Sequence, residues 1–300
     1  MIFKFHHIMT DAYGFVTFMA NIMDEYDPKI LPPMKKFTLW DKFLLYLSIP
    51  FNFVRITIKF LTYPADKNSI ASGKPFTGEK KGAFSKEYNV DLVKVKCKEL
   101  GVTFNDLFMT IMSLSIKRYF ISKGDEKSNK MLVMIPINFR ERPTTPENFE
   151  FKNQFAIFPM EIKLFTDFDT AVKVISRDLK PIRNSFVSIG MFYLVELLLA
   201  LPFPVSTFMV SLFAAKPTLF ATNVAAPAIP YRIAGSDSIK VQSFVPNQDN
   251  VAGGFAFVTH NNILCIGFSA DTGRCSDAKQ IIQYYEEELD LVLARSHTKK

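Results

Sequence analysis

Phe5-His6-His7-Ile8-Met9-Thr10-Asp11-Ala12-Tyr13-Gly14, residues 5–14, sets two adjacent histidines ahead of a carboxylate that follows the second by four positions. Ile2 to Phe5 reads as a short strand and Phe15 to about Met23 as a helix, so the histidines fall on a strand-to-helix loop. The chain has 4 histidines, His6, His7, His260 and His297. An imidazole titrates near neutral pH and can take a proton from a hydroxyl. A carboxylate close by can hold the ring in one orientation or brace its loop. The same residues also read as a strand-end histidine pair followed by an Asp that caps the next helix. The motif alone leaves both readings open.

Outward from this loop the pattern is mixed α and β, with no internal repeat and no low-complexity tract. Phe37 to Tyr63 is mostly apolar but is interrupted by Lys42, Arg55 and Lys59, which favours amphipathic helices over a clean membrane span. Residues 68–82, with Gly73, Pro75 and Gly78, read as a linking loop. Ala83 to Tyr88 reads as a strand and Asp91 to Leu100 as a helix that Gly101 stops. The next helix has Thr103 as its N-cap and Asp106 in its first turn, and its apolar residues run round most of the circumference, so it is buried. Met131 to Ile135, ended by Pro136, and Phe155 to Leu164 read as strands, and Thr170 to Phe186 as an amphipathic helix. Phe255–Thr259 and Ile263–Ser269 form a hairpin around Asn261-Asn262. The final helix spans about Asp277 to Ala294 and turns Ile281, Tyr285, Leu289 and Val292 inward. Leu197 to Ala215 carries no charge over a length that could cross a bilayer, but Pro202 and Pro204 favour a buried or interfacial helical pair over a true span.

Composition narrows the function classes. With 300 residues, 48% of them hydrophobic, the chain can bury a large core, and the composition argues against disorder. Its 31 phenylalanines call for a wide aromatic core or an apolar surface that meets lipid. The net charge of +7 is scattered and not striped with aromatics, so nucleic acid is a poor fit. An anionic membrane face or an anionic substrate suits it better. The cysteines, Cys97, Cys265 and Cys275, are odd in number and widely spaced, which argues against a disulfide framework or a zinc site. His260 at the hairpin end and His297 in the basic tail read as surface residues.

His6-His7-x-x-x-Asp11 resembles the His-His-x-x-x-Asp motif of CoA-dependent acyltransferases with the chloramphenicol acetyltransferase-like fold. Four further stretches narrow the resemblance to the wax ester synthase/diacylglycerol acyltransferase family. They are Val102-Thr103-Phe104-Asn105-Asp106, Ile135-Pro136-Ile137-Asn138-Phe139-Arg140, Asn153-Gln154-Phe155, and Thr222-Asn223-Val224-Ala225-Ala226-Pro227, and they occur in family order. The resemblance runs from His6 to about Leu293. It implies an α/β fold of mixed sheets in two half-domains, the N-terminal one incomplete because only Met1 to Phe5 precede the motif. Residues 1–67 would be the rest of that half, 68–82 the linker and 83–295 the C-terminal half-domain. The family's Gly after the motif Asp is Ala12 here, its Gly before the Asn-x-Phe segment is Lys152, and its Pro-Gly is Ala225-Ala226.

The resemblance implies a mechanism as well. His7 would act as general base on a fatty alcohol or diacylglycerol hydroxyl that attacks an acyl-CoA thioester directly. His6 would orient or pack, and Asp11 would hold the loop by pairing with an arginine, Arg140 being the candidate. Asn105, Asp106 and Asn223 would support the site. No cofactor is implied beyond acyl-CoA as co-substrate. The expected partners are acyl-CoA, a long-chain alcohol or diacylglycerol, and a membrane surface. The expected place is the cytosolic face of a membrane, the endoplasmic reticulum or plasma membrane in a eukaryote. The competing reading is a catalytically inactive lipid-binding or interaction protein derived from this family. A related enzyme of the plant type fits less well, since its Asp-Phe-Gly-Trp-Gly segment is missing from a chain whose single tryptophan is Trp40.

Overall fold

A mixed sheet organises the chain, and it splits part-way along. The structure, a computed structural model, describes residues 2–7, 9–31, 38–71, 75–138, 143, 145–183, 193, 195–198, 200–246 and 251–295. The strands are β1 (Lys80–Phe84), β2 (Tyr88–Asn89), β3 (Lys130–Asn138), β4 (Phe155–Lys163), β5 (Leu219–Ala225), β6 (Arg232–Ile233), β7 (Ser236–Asp237), β8 (Gly253–His260) and β9 (Ile263–Asp271). The helices are α1 (Ala12–Asn21), α2 (Leu39–Thr62), α3 (Val90–Leu100), α4 (Phe104–Ser122), α5 (Phe168–Arg183), α6 (Phe203–Ala214) and α7 (Ala278–Ala294). The main sheet runs β1-β9-β8-β5-β3-β4, with β2 also on β9 and β6–β7 a separate small hairpin. β3–β5 and β5–β8 pair in parallel; the other neighbours are antiparallel.

The split lies between β3 and β5. These strands pair only at Val133↔Leu219 and Met134↔Phe220. Beyond that point β3 stays with β4 as far as Asn138↔Phe155, and β5 stays with β8 as far as Ala225↔Thr259. The split also explains why β3 does not end at Pro136 as the sequence suggested. Pro136 lies past the pairing with β5, so its missing N–H removes no bond to that strand.

Alternation along the strands covers both faces of the sheet. Val133, Leu219, Ala221, Phe255 and Phe257 enter the main core beneath α4, α5 and α7. Met134, Phe220 and Val251 point the other way, toward Phe53 of α2 and Met209 of α6. α4 is buried around nearly its whole girth, as its pattern implied, and packs against both α5 and α7. Its start is a capping box, with Asp106 N–H donating to Thr103 Oγ1 at 3.3 Å and Thr103 N–H to Asp106 Oδ2 at 2.9 Å. Gly101 closes α3 in the left-handed region at φ 67°. Asn261 and Asn262, at φ 48° and 59°, form the tight hairpin turn between β8 and β9.

Two local expectations change. Ile2 to Phe5 forms no strand; Phe3 and Phe5 instead set their rings on Phe15 at centroid distances of 5.8 and 4.8 Å. The apolar 37–63 stretch yields one helix, α2, with Pro50 inside it, and its apolar stripe faces outward. Trp40, Phe43, Leu47, Phe51, Val54 and Ile58 are each more than half exposed. Among the described residues no helix is long and apolar enough to cross a membrane.

The β6–β7 turn carries one strained residue. Ala234 sits at φ 51° beside Gly235 at φ 73°, a two-residue left-handed turn that favours Asn or Gly in its first position. Ala234→Asn is expected to raise stability by about 0.5–1 kcal/mol, read as a higher melting temperature. A lower one would mean that the turn is held by something other than its backbone preference.

Candidate active site

The histidine loop is seated by its main chain and by Asp11. Asp11 caps α1, with Gly14 N–H donating to its Oδ1 at 2.8 Å. Its Oδ2 takes the Gln154 N–H, at the head of β4, also at 2.8 Å. Asn153 Nδ2 donates to the His7 carbonyl at 2.8 Å, and Thr10 Oγ1 donates to Lys152 O at 3.4 Å. The loop is therefore stitched to residues 152–154. His7 is half-buried with its ring edge-on to Phe155, 6.0 Å between centroids, while His6 is exposed. Ala12, where the family pattern has Gly, is the first residue of α1 and occupies a helical position that makes no demand for positive φ.

α1 then crosses the split in the sheet. On the β4 side, Phe18 meets Phe149 and Phe151 at 6.4 and 5.7 Å. On the β5 side, Val16, Met19 and Ala20 pack with Ala226, Tyr231 and Val224. The helix tail is held as well: Asp24 accepts from Ala234 N–H at 2.7 Å and Gly235 N–H at 2.8 Å, and its own N–H donates to Arg232 O at 2.9 Å. His7 thus sits at the mouth opened where β3 and β5 diverge, on an element braced against both lips.

The supporting residues fall into two groups. Asn223, near the end of β5, donates from Nδ2 to Asn105 Oδ1 at 2.7 Å, joining the start of α4 to the β5 lip. Asp106 is fully buried at the α4 cap and also accepts from Ser176 Oγ at 3.1 Å, which ties α4 to α5. Arg140, the expected partner of Asp11, lies outside the described residues, as does His297. The bonds described for Asp11 run to backbone amides.

Thiols offer no rival nucleophile. Cys97, Cys265 and Cys275 are all buried and unbridged. Desolvation pushes the Cys97 thiol up to about 11 and raises the other two, so each stays protonated at neutral pH. Among the described residues no group of His, Cys, Asp and Glu is placed to hold a metal ion.

His260 is not a surface residue: it is 1% exposed. Its Nδ1 is 3.0 Å from Pro227 O and its Nε2 is 2.7 Å from Ser238 Oγ. Burial lowers its pKa, against the opposing pull of the Pro227 bond. A strand that ends in His before a tight turn looks exposed from sequence, because nothing local reveals that residues 227–238 fold over it.

Residues 152–292 match the family model described as the WS/DGAT C-terminal domain. Solved structures with the same fold include a wax ester synthase/diacylglycerol acyltransferase from Marinobacter aquaeolei VT8, at 14% identity and a TM-score of 0.59 over 96% of this chain and 65% of that one. The epimerization domain from the third module of tyrocidine synthetase B aligns at 11% identity and 0.58, over 96% and 67%. The cyclization-docking bidomain of a nonribosomal peptide synthetase from Sorangium cellulosum aligns at 14% and 0.56, over 97% and 59%. No curated protein matched the chain. The chain therefore spans about 59–67% of the length of these three structures. The fold is the mixed-sheet, chloramphenicol acetyltransferase-like fold that the His-His-x-x-x-Asp motif implied.

Proposed function

With a WS/DGAT C-terminal domain over residues 152–292 as the premise, we propose that the protein is an acyl-CoA-dependent O-acyltransferase. It would esterify a long-chain alcohol or diacylglycerol, the chemistry of wax ester and triacylglycerol synthesis. The observation that carries this reading is the seat of His7, half-buried at the mouth of the split sheet on a loop bonded to residues 152–154. In this reading the His7 imidazole takes the proton of the acceptor hydroxyl as its oxygen attacks the thioester carbonyl carbon. The C–S bond then breaks, and the departing CoA thiolate recovers the proton from His7. Atoms and charge balance with acyl-CoA as co-substrate alone. The test is ester product from labelled acyl-CoA with each acceptor in turn. No product with either, from a chain that melts cooperatively, would sink the reading in favour of lipid binding without turnover.

Both substrates are greasy, and the same reading places the protein on the cytosolic face of a membrane. Its support is the outward apolar stripe of α2, continued by Phe203 and Phe208 of α6, which are 81% and 66% exposed. The two helices meet in one apolar cluster through Phe53 and Met209. Beside Phe203 lies an open groove of ≈350 Å³, lined by Leu201, Ser206 and Val210 among others. An exposed apolar surface of this extent marks an interaction site, and the net charge of +7 suits an anionic bilayer. The combined variant Phe43→Glu, Leu47→Glu, Phe51→Glu is expected to lose at least about 10-fold in co-sedimentation with phosphatidylcholine/phosphatidylserine vesicles. Equal sedimentation of variant and parent would remove α2 from the contact.

A further inference from the structure

We propose that His260 is a positioning residue for His7, acting through Tyr231 and α1. This rests on the reading of His7 as the base. The route can be followed atom by atom. Pro227 O can only accept, so His260 carries its proton on Nδ1 and donates it there at 3.0 Å; the Asn261 N–H donates to the same oxygen at 3.1 Å. Ser238 Oγ accepts the Tyr231 N–H at 2.8 Å, which directs the serine proton toward His260 Nε2 at 2.7 Å. Both ring nitrogens are thereby satisfied in one tautomer and one orientation.

The face of that fixed ring is the support for Tyr231. The two rings stack at 4.7 Å with 14° between planes, and Tyr231 is 1% exposed. The far side of Tyr231 meets α1: its hydroxyl donates to Val16 O at 3.5 Å, and its ring packs with Val16, Met19 and Ala20. α1 begins directly after Asp11, whose bonds set the His7 loop. The β4 lip thus fixes the head of α1, while His260 and Tyr231 fix its flank on the β5 lip. A shift of the flank changes the angle at which α1 leaves the loop and strains the Asp11 bonds to Gly14 and Gln154 that hold it. Reacting atoms tolerate little misplacement, and an error of about 1 Å can lower the rate by about 10²-fold.

His260→Phe keeps a ring beneath Tyr231 and withdraws both hydrogen bonds. In the full chain it is expected to lower kcat for ester formation about 10-fold with KM for acyl-CoA within about 2-fold, as a displaced base slows the chemical step without removing a binding contact. Two readouts do not depend on turnover. Amide hydrogen exchange over residues 12–21 should quicken while β9 and α7 keep their protection. The His7 ring signals, which feel the edge-on Phe155 ring, should shift. Ser238→Ala, which leaves the imidazole and removes its Nε2 partner, should give a smaller change of the same kind and guards against a misfolded Phe variant. Unchanged exchange over α1 and unmoved His7 signals in both variants overturn the proposal, whether or not the parent is active. Loss of His7 as base would show separately, as an active His7→Ala variant with the α1 response to His260→Phe intact.

Discussion

His7→Ala is expected to lower ester formation by about 10²–10⁴-fold, the usual loss when a general base is removed, while the melting temperature stays close to that of the parent. The two halves of this expectation have different grounds. The chemical half follows from the placement of a half-buried imidazole at the mouth of the split sheet. The structural half follows from what holds the loop. Asn153 grips the carbonyl of His7, which alanine keeps, and Asp11 and Thr10 make the other ties. Among the described residues the side chain gives up an edge contact with Phe155. His6→Ala, at an exposed position, should cost far less. Labelled acyl-CoA with alcohol or diacylglycerol measures the rate, and a thermal melt measures the fold. Full activity in the His7 variant would remove it as the base; a collapsed melt would mean that the ring has a packing role which its contacts do not suggest.

What the sequence made legible was local. The cap at Thr103, the stop at Gly101 and the Asn261-Asn262 turn each depend on residues within a few positions, where intrinsic backbone preferences decide. The buried α4 was readable because apolar residues on every side of a helix leave it no solvent face. The non-local features were not readable. Periodicity shows that α2 has an apolar stripe and cannot say whether the stripe faces the core or the outside. Ile2 to Phe5 has a strand pattern, but among the described residues no strand pairs with it, and its aromatic rings turn back onto Phe15. The seat of the His7 loop depends on bonds spanning more than 140 positions, and the enclosure of His260 depends on Pro227 and Ser238. Motif resemblance pointed to His7, Asp11, Asn105 and Asn223 without giving their geometry. It had no means of finding His260, which belongs to no motif.

Asp11→Ala is expected to be the most destabilising change in the loop, by about 2.5–4 kcal/mol, with activity falling alongside. Two losses add. The helix cap contributes about 1 kcal/mol, and the Gln154 N–H, bonded to a carboxylate in a partly buried position, contributes about 1.5–3 kcal/mol more when left unpaired. Asp11 is 6% exposed, so water cannot readily replace it. Asp11→Asn separates the two ways of holding the loop. If backbone amides are the main partners, Asn keeps one acceptor for Gly14 and caps α1 nearly as well, so it should recover roughly half of the loss. If the carboxylate instead acts mainly by charge, against a guanidinium, Asn should be as damaging as Ala, because a buried cation left without its anion is the costlier defect. Melting temperatures of the two variants at matched salt decide between these. An Asn variant that melts with Ala would transfer the holding role from the Gln154 and Gly14 amides to an arginine, and a parent-like Ala variant would mean that Asp11 does not seat His7 at all.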